Sequence, residues 1–131
     1  VSGLQYTIVR PSWFDYYAPD QHRLILLQGD RRLAGDPSDG VISRRQIAEV
    51  LVRGLSSDHA LRKTFELIAT TGPAQDDFDG LFAPLDTDSR DTLDGVLDVA
   101  NMPLEDEPQR VRDDLDAVLA HQSAAPRLPA R

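Results

Sequence analysis

The run Leu4-Gln5-Tyr6-Thr7-Ile8-Val9-Arg10-Pro11 constrains this chain more than any other segment. It is almost continuously aliphatic, β-branched or aromatic, the pattern of a strand covered on both faces. Such strands sit inside parallel sheets, where crossover helices cover the faces and neighbouring strands satisfy the backbone. Only three residues precede the run, so most of its sheet neighbours are expected outside this chain. Leaving Leu4, Tyr6, Ile8, Val9 and Leu67 in water would forfeit roughly 1.5 to 3 kcal/mol each. Association with a missing N-terminal segment, or a homo-oligomer that exchanges elements, is therefore expected, with packing of the C-terminal helices over the bare face as a third route.

A chain of 131 residues, 40% hydrophobic and 27% charged, has the size and balance of one globular domain. No apolar stretch approaches the roughly 20 residues that cross a bilayer, and no membrane partner is expected. The absence of cysteine excludes disulfide scaffolds, thiolate metal sites and cysteine nucleophiles. The first residues lack the basic and apolar regions of a secretion signal, so a cytoplasmic location is expected. Charge is unevenly spread: residues 1–70 carry nine basic and eight acidic side chains, residues 71–131 five and 14. An acidic half of this strength repels phosphate backbones, and nucleic acid is not an expected partner.

Pro11 closes the first strand because it offers no amide proton. Trp13-Phe14-Asp15-Tyr16-Tyr17 then concentrates four aromatic side chains in five residues. Arg23 to Gln28 reads as a second strand ending at Gly29-Asp30, and Gly35 to Gly40 as a turn-rich loop. Ser43 and Gln46 form a capping box, and Ile47, Val50, Leu51 and Leu55 follow as one helical stripe ending near Ser56. Lys63 to Ala69 is the third strand, stopped by Thr70-Thr71-Gly72-Pro73. Beyond it, Phe78, Leu81 and Phe82 suit a short helix, and Leu93, Val96, Leu97 and Ala100 a second. A third helix starts at Pro108 and carries Val111, Leu115, Val118 and Leu119.

Three segments, Ser2 to Pro11, Gly40 to Ala48 and Lys63 to Leu67, together resemble the C-terminal half of an atypical short-chain dehydrogenase of the NAD(P)-binding, NmrA-like type. The resemblance implies an α/β fold, with the C-terminal part of a Rossmann-like parallel sheet over residues 1–72; charge and apolar spacing lead one to expect an acidic helical extension over 73–121, and the lack of periodicity a disordered tail over 122–131. It also implies NAD or NADP at the carboxyl ends of the strands in the complete protein, with none expected to bind this chain alone. By position, Arg10, Pro11 and Ser12 would sit at the nicotinamide edge, and Trp13, Phe14, Tyr16 and Tyr17 would form the substrate pocket. Ser12, followed by bulky Trp13-Phe14, stands where the family commonly has glycine.

Two parts of such an enzyme are missing. None of the glycines forms the Gly-x-x-Gly-x-x-Gly turn that cradles a pyrophosphate, and no Tyr-x-x-x-Lys pair is present. By family order both lie upstream of Val1, so no catalytic residue is assigned to this chain. The expected function is thus the tail half of an NAD(P)-dependent oxidoreductase-like protein, inactive alone. The alternatives are an NmrA-like dinucleotide sensor without turnover, or an oligomerising interaction module. No metal site is expected: Asp86 to Asp91 opens like a calcium loop but has Asp91 and Leu97 where glycine and glutamate are needed, and His22, His59 and His121 lie far apart. Ser43 with Asp39 lacks a nucleophile elbow, and Ser43 is accounted for by its cap.

Overall fold

A computed structural model describes residues 4–90, 92, 94–99 and 104–124. The chain divides into two compact units, one of residues 5–99 and one combining residues 1–4 with 100–131.

The larger unit is a mixed α/β structure built on five strands: β1 (Thr7–Pro11), β2 (Trp13–Phe14), β3 (Arg23–Leu27), β4 (Val41–Ile42) and β5 (Lys63–Thr70). Strand β5 is the spine, with Lys63, Thr64, Phe65, Leu67, Ile68 and Ala69 all buried. One flank of β5 takes β1 in parallel, from Thr7 opposite Lys63 to Pro11 opposite Leu67. Ala69 further along pairs Val41 of β4 antiparallel, and β2 joins β4 in parallel. The other flank takes β3 antiparallel, from Arg23 opposite Thr70 to Leu27 opposite Glu66.

The sheet is therefore mixed, where the sequence pattern leads one to expect a parallel one. Periodicity reports which side chains are buried and is silent on strand direction. The opening run also departs from expectation. Among the described residues only β5 pairs with β1, and Ile8 is 47% exposed. Among the described residues β1 is an edge strand, with Ile8 and Pro11 exposed and Thr7, Val9 and Arg10 half-buried.

Helix α1 (Arg44–Leu55) begins as its capping box dictates: the Ser43 hydroxyl accepts from the Gln46 amide at 3.2 Å, and the Gln46 side chain accepts from the Ser43 amide at 3.0 Å. Its buried arc runs through Val50 and Gly54, with Ile47 packed against the core. Leu51 and Leu55, expected on that arc, are turned outward, Leu55 being 90% exposed. They rim a groove of about 370 Å3 between α1 and β1 that Tyr6, Val9 and Leu61 also line.

Helix α2 (Phe78–Phe82) joins the same core. The Phe82 ring lies 5.9 Å from Phe65 and 6.4 Å from Phe78. Lys63 reaches out of β5 to donate to the Phe82 carbonyl at 2.8 Å, at the helix end where that carbonyl also accepts from the Leu85 amide at 3.1 Å. The following segment is clasped by buried Asp88, which accepts from Thr64 at 2.6 Å, Tyr6 at 3.1 Å and the Val96 amide at 3.1 Å. Burial next to that carboxylate pushes the Tyr6 phenol up. Residues 94–99 form a turn, not the expected helix, because the Asp98 carboxylate draws in the Gly95 amide at 2.9 Å. Leu93 and Ala100 lie outside the described residues.

In the smaller unit, α3 (Gln109–Ala124) follows Pro108, whose carbonyl accepts from Val111 at 2.9 Å. The helix includes Gln122 to Ala124, which the sequence assigned to the tail; residues 125–131 lie outside the description. Val111, Val118 and Leu119 are exposed on it. No helix among the described residues is long and apolar enough to cross a membrane.

Candidate functional site

Strand β1 ends at Pro11 opposite Leu67, three residues before β5 ends at Thr70, and a cavity of about 580 Å3 opens beyond the end of β1, against Glu66 and Ile68 of β5. Arg10, Pro11, Ser12, Trp13, Phe14 and Tyr16 line it, joined by Asp30, Arg32, Asp39, Glu66 and Ile68. Six of the seven residues singled out from the sequence thus meet in one place. Tyr17 does not join them: it lines a separate cavity of about 380 Å3 with Pro19, His22 and Gln46.

Backbone bonds fix the strand-to-loop transition. The Ser12 amide donates to the Leu67 carbonyl at 3.1 Å, while its hydroxyl donates to the Gly40 carbonyl at 2.9 Å. Gly40 has φ +125°, and a side chain there would place Cβ within 2.4 Å of Ile68 Cγ2, so only glycine admits this approach. Trp13 and Tyr16 meet edge to face at 6.1 Å. Arg44, the first residue of α1, lays its guanidinium 4.8 Å over the Phe14 ring and bonds Asp15 through Nε at 2.9 Å and Nη2 at 2.5 Å. That grip holds Asp15 at φ +73°, a conformation non-glycine residues seldom adopt, and lowers its carboxyl below the ordinary range.

The floor is a charge cluster. Arg10 bonds Asp30 at 2.8 Å through Nη1, and Glu66 at 3.2 Å and Asp98 through Nη2. The Asp98 carboxylate also accepts from the Gly29 and Gly95 amides, and Glu66 accepts from the Asp30 amide at 3.2 Å. Burial foremost pushes the Glu66 carboxyl up, against the Asp30 amide and Arg10, which oppose it, and with the Asp98 and Asp30 carboxylates adding to the rise. Arg10 Nε, Asp30 Oδ2 and Glu66 Oε2 are buried without a hydrogen-bond partner.

The three carboxylates each offer an oxygen within 4.8 Å of the others, a spacing that would suit a metal ion. The Arg10 guanidinium already bonds all three, so the cation at this position is the arginine. Sequence reasoning found Arg10 and missed its partners. A signal was present: Glu66 is an acid inside the apolar run Phe65 to Ala69, and such residues are seldom buried unless paired. Elsewhere, Asp39 spends its carboxylate on the Ala34 and Gly35 amides at 2.7 Å each, and Ser43 serves its cap. No protein-family model matches the chain, and no curated protein matches its sequence.

Proposed function

We propose that this chain is the C-terminal part of an NAD(P)-dependent oxidoreductase-like protein of the atypical short-chain dehydrogenase type. In this reading Arg10, Pro11 and Ser12 form the nicotinamide edge, and Trp13, Phe14 and Tyr16 the substrate side. The observation that carries it is a cavity at the carboxyl end of β1, beside its parallel neighbour β5, lined by six of the seven residues that the motif resemblance nominates. Open α/β sheets bind their ligands at that end. The margin of β1 that no described strand pairs with, and the apolar groove beside α1, offer room for a further strand and helix.

The fit to a nicotinamide ring is local. Pro11 supplies a flat apolar surface, and the Ser12 hydroxyl is bound back to Gly40, which leaves the small side chain anchored beside the ring's place. When bound, the cofactor supplies hydride chemistry. The chain's own part is to seat the ring: the aromatic loop, fastened through Arg44, lines one side of the cavity, and the Arg10 cluster forms its floor.

Trp13 is the chain's one tryptophan, so its emission reports on this cavity. Expressed together with the residues encoded upstream of Val1, the protein should bind NADPH with energy transfer from Trp13 to the dihydronicotinamide. The same addition to this chain alone should give none. Absence of transfer in the extended protein, or an upstream frame without a glycine-rich phosphate turn, overturns the proposal.

A further inference from the structure

We infer that the outer margin of β1 is a self-association edge, on which a second copy of this chain adds its own β1 antiparallel about a two-fold axis through Thr7. The inference goes beyond the nucleotide reading, since it uses the side of β1 and not the cavity at its end.

Backbone direction defines the edge. The Tyr6 carbonyl accepts from the Arg62 amide at 2.7 Å and the Ser12 amide donates to the Leu67 carbonyl at 3.1 Å, so Tyr6, Ile8, Arg10 and Ser12 turn their peptide groups toward β5. Those of Gln5, Thr7 and Val9 point the other way, where no described strand meets them. Pro11 follows in the same row and has no amide to offer.

Monomeric proteins blunt such an edge with charge, proline or a bulge. Here the strip Gln5-Tyr6-Thr7-Ile8-Val9 carries no charge, in a chain of net charge -8. The groove beside it, between β1 and α1, is lined by Val50, Leu51, Gly54, Leu55 and Leu61, again without a charged side chain. Ile8 is exposed on one face of the strand, and Leu51 and Leu55 are exposed over the other.

The occupant follows from the pattern that the edge presents. A two-fold axis through Thr7 sets Gln5 opposite Val9 and Thr7 opposite itself, so every outward amide and carbonyl from Gln5 to Val9 exchanges a hydrogen bond with its counterpart. Moving the axis to Ile8 would set Pro11 opposite Gln5 and leave the Gln5 carbonyl without a donor. On the face away from α1, the axis at Thr7 places Tyr6 against Ile8 in both directions, the aromatic and β-branched pairing that strands favour. On the other face the two α1 helices come to lie over one continuous sheet, each with Leu51 and Leu55 beside its groove. A second copy carries the complement of this edge by symmetry, which is why it, and not an unrelated strand, is the occupant.

The test is the mass of this chain by light scattering after size exclusion, with amide hydrogen exchange read residue by residue. A dimer is expected at high micromolar concentration, and the Thr7 and Val9 amides should there exchange at least about tenfold more slowly than at low micromolar concentration, where the copies separate. Ile8→Glu, at an exposed position, brings a carboxylate against the Tyr6–Asp88 pair of the second copy and should raise the dissociation constant about tenfold or more. A monomer at every concentration, a dimer whose Thr7 and Val9 amides exchange at the monomer's rate, or a dimer that Ile8→Glu leaves equally tight overturns the inference. Should that variant fail to fold, the exchange of those two amides in the native chain decides. An upstream strand would compete for this margin, and the two readings fail separately. A monomeric chain together with NADPH energy transfer in the extended protein sinks this inference alone; a dimer of this chain without such transfer sinks the dehydrogenase reading alone.

Discussion

Arg10 balances three carboxylates with one guanidinium, so its loss is felt through what it leaves behind. Arg10→Met should cost about 3 kcal/mol in urea denaturation, the lower end for an uncompensated buried charge because the guanidinium is partly exposed. Glu66 adds a pH signature. Its carboxyl is raised in the folded state, so the folded chain holds that proton more tightly than the unfolded one. The resulting stabilisation is complete below the ordinary glutamate value of about 4.3 and is lost as pH rises toward the raised folded value. The difference in melting temperature between the native chain and Glu66→Gln should therefore fall as pH rises through that window, and a constant or rising difference contradicts the assignment. Arg10 was legible from the sequence because a motif marks it. Its acidic partners were not, because Asp30 and Asp98 come from turns whose positions only the folded sheet defines, and the Arg10–Glu66 pairing depends on the register between β1 and β5.

At the scale of elements, local chemistry was legible and tertiary choice was not. The Ser43–Gln46 box involves residues three apart, so the sequence contains all of it, and helix α1 begins where it says. Ser43→Ala should destabilise the fold by about 1 kcal/mol, read from the shift in denaturation midpoint, with unchanged helical content in the native state. Which arc of α1 is buried depends on what lies beneath it. Val50 and Gly54 settle on the core while Leu51 and Leu55 rim the groove beside β1, a choice that hydrophobic spacing cannot make. The same limit explains the segment around Val96 and Leu97. Its apolar spacing fits a helix, yet hydrogen bonds to Asp88 and Asp98 bend it into a turn.

At the scale of the whole molecule, the aromatic stack of Phe65, Phe78 and Phe82 binds the segment after β5 to the sheet. Phe82→Ala should cost about 3 to 5 kcal/mol, the range for emptying a fully buried aromatic site. Because that side chain belongs to the same core as β3 and β5, Trp13 emission and far-ultraviolet circular dichroism should shift to lower denaturant together. Two separated transitions would show instead that α2 melts independently. Lys63 is the chain's sole lysine, and β5 buries it with its nitrogen on the Phe82 carbonyl. Reagents that seek amines will accordingly find no side chain to modify on the folded protein. Within these 131 residues, surface coupling, cross-linking and fluorophore attachment by that route will therefore leave every side chain unmarked while the fold is intact.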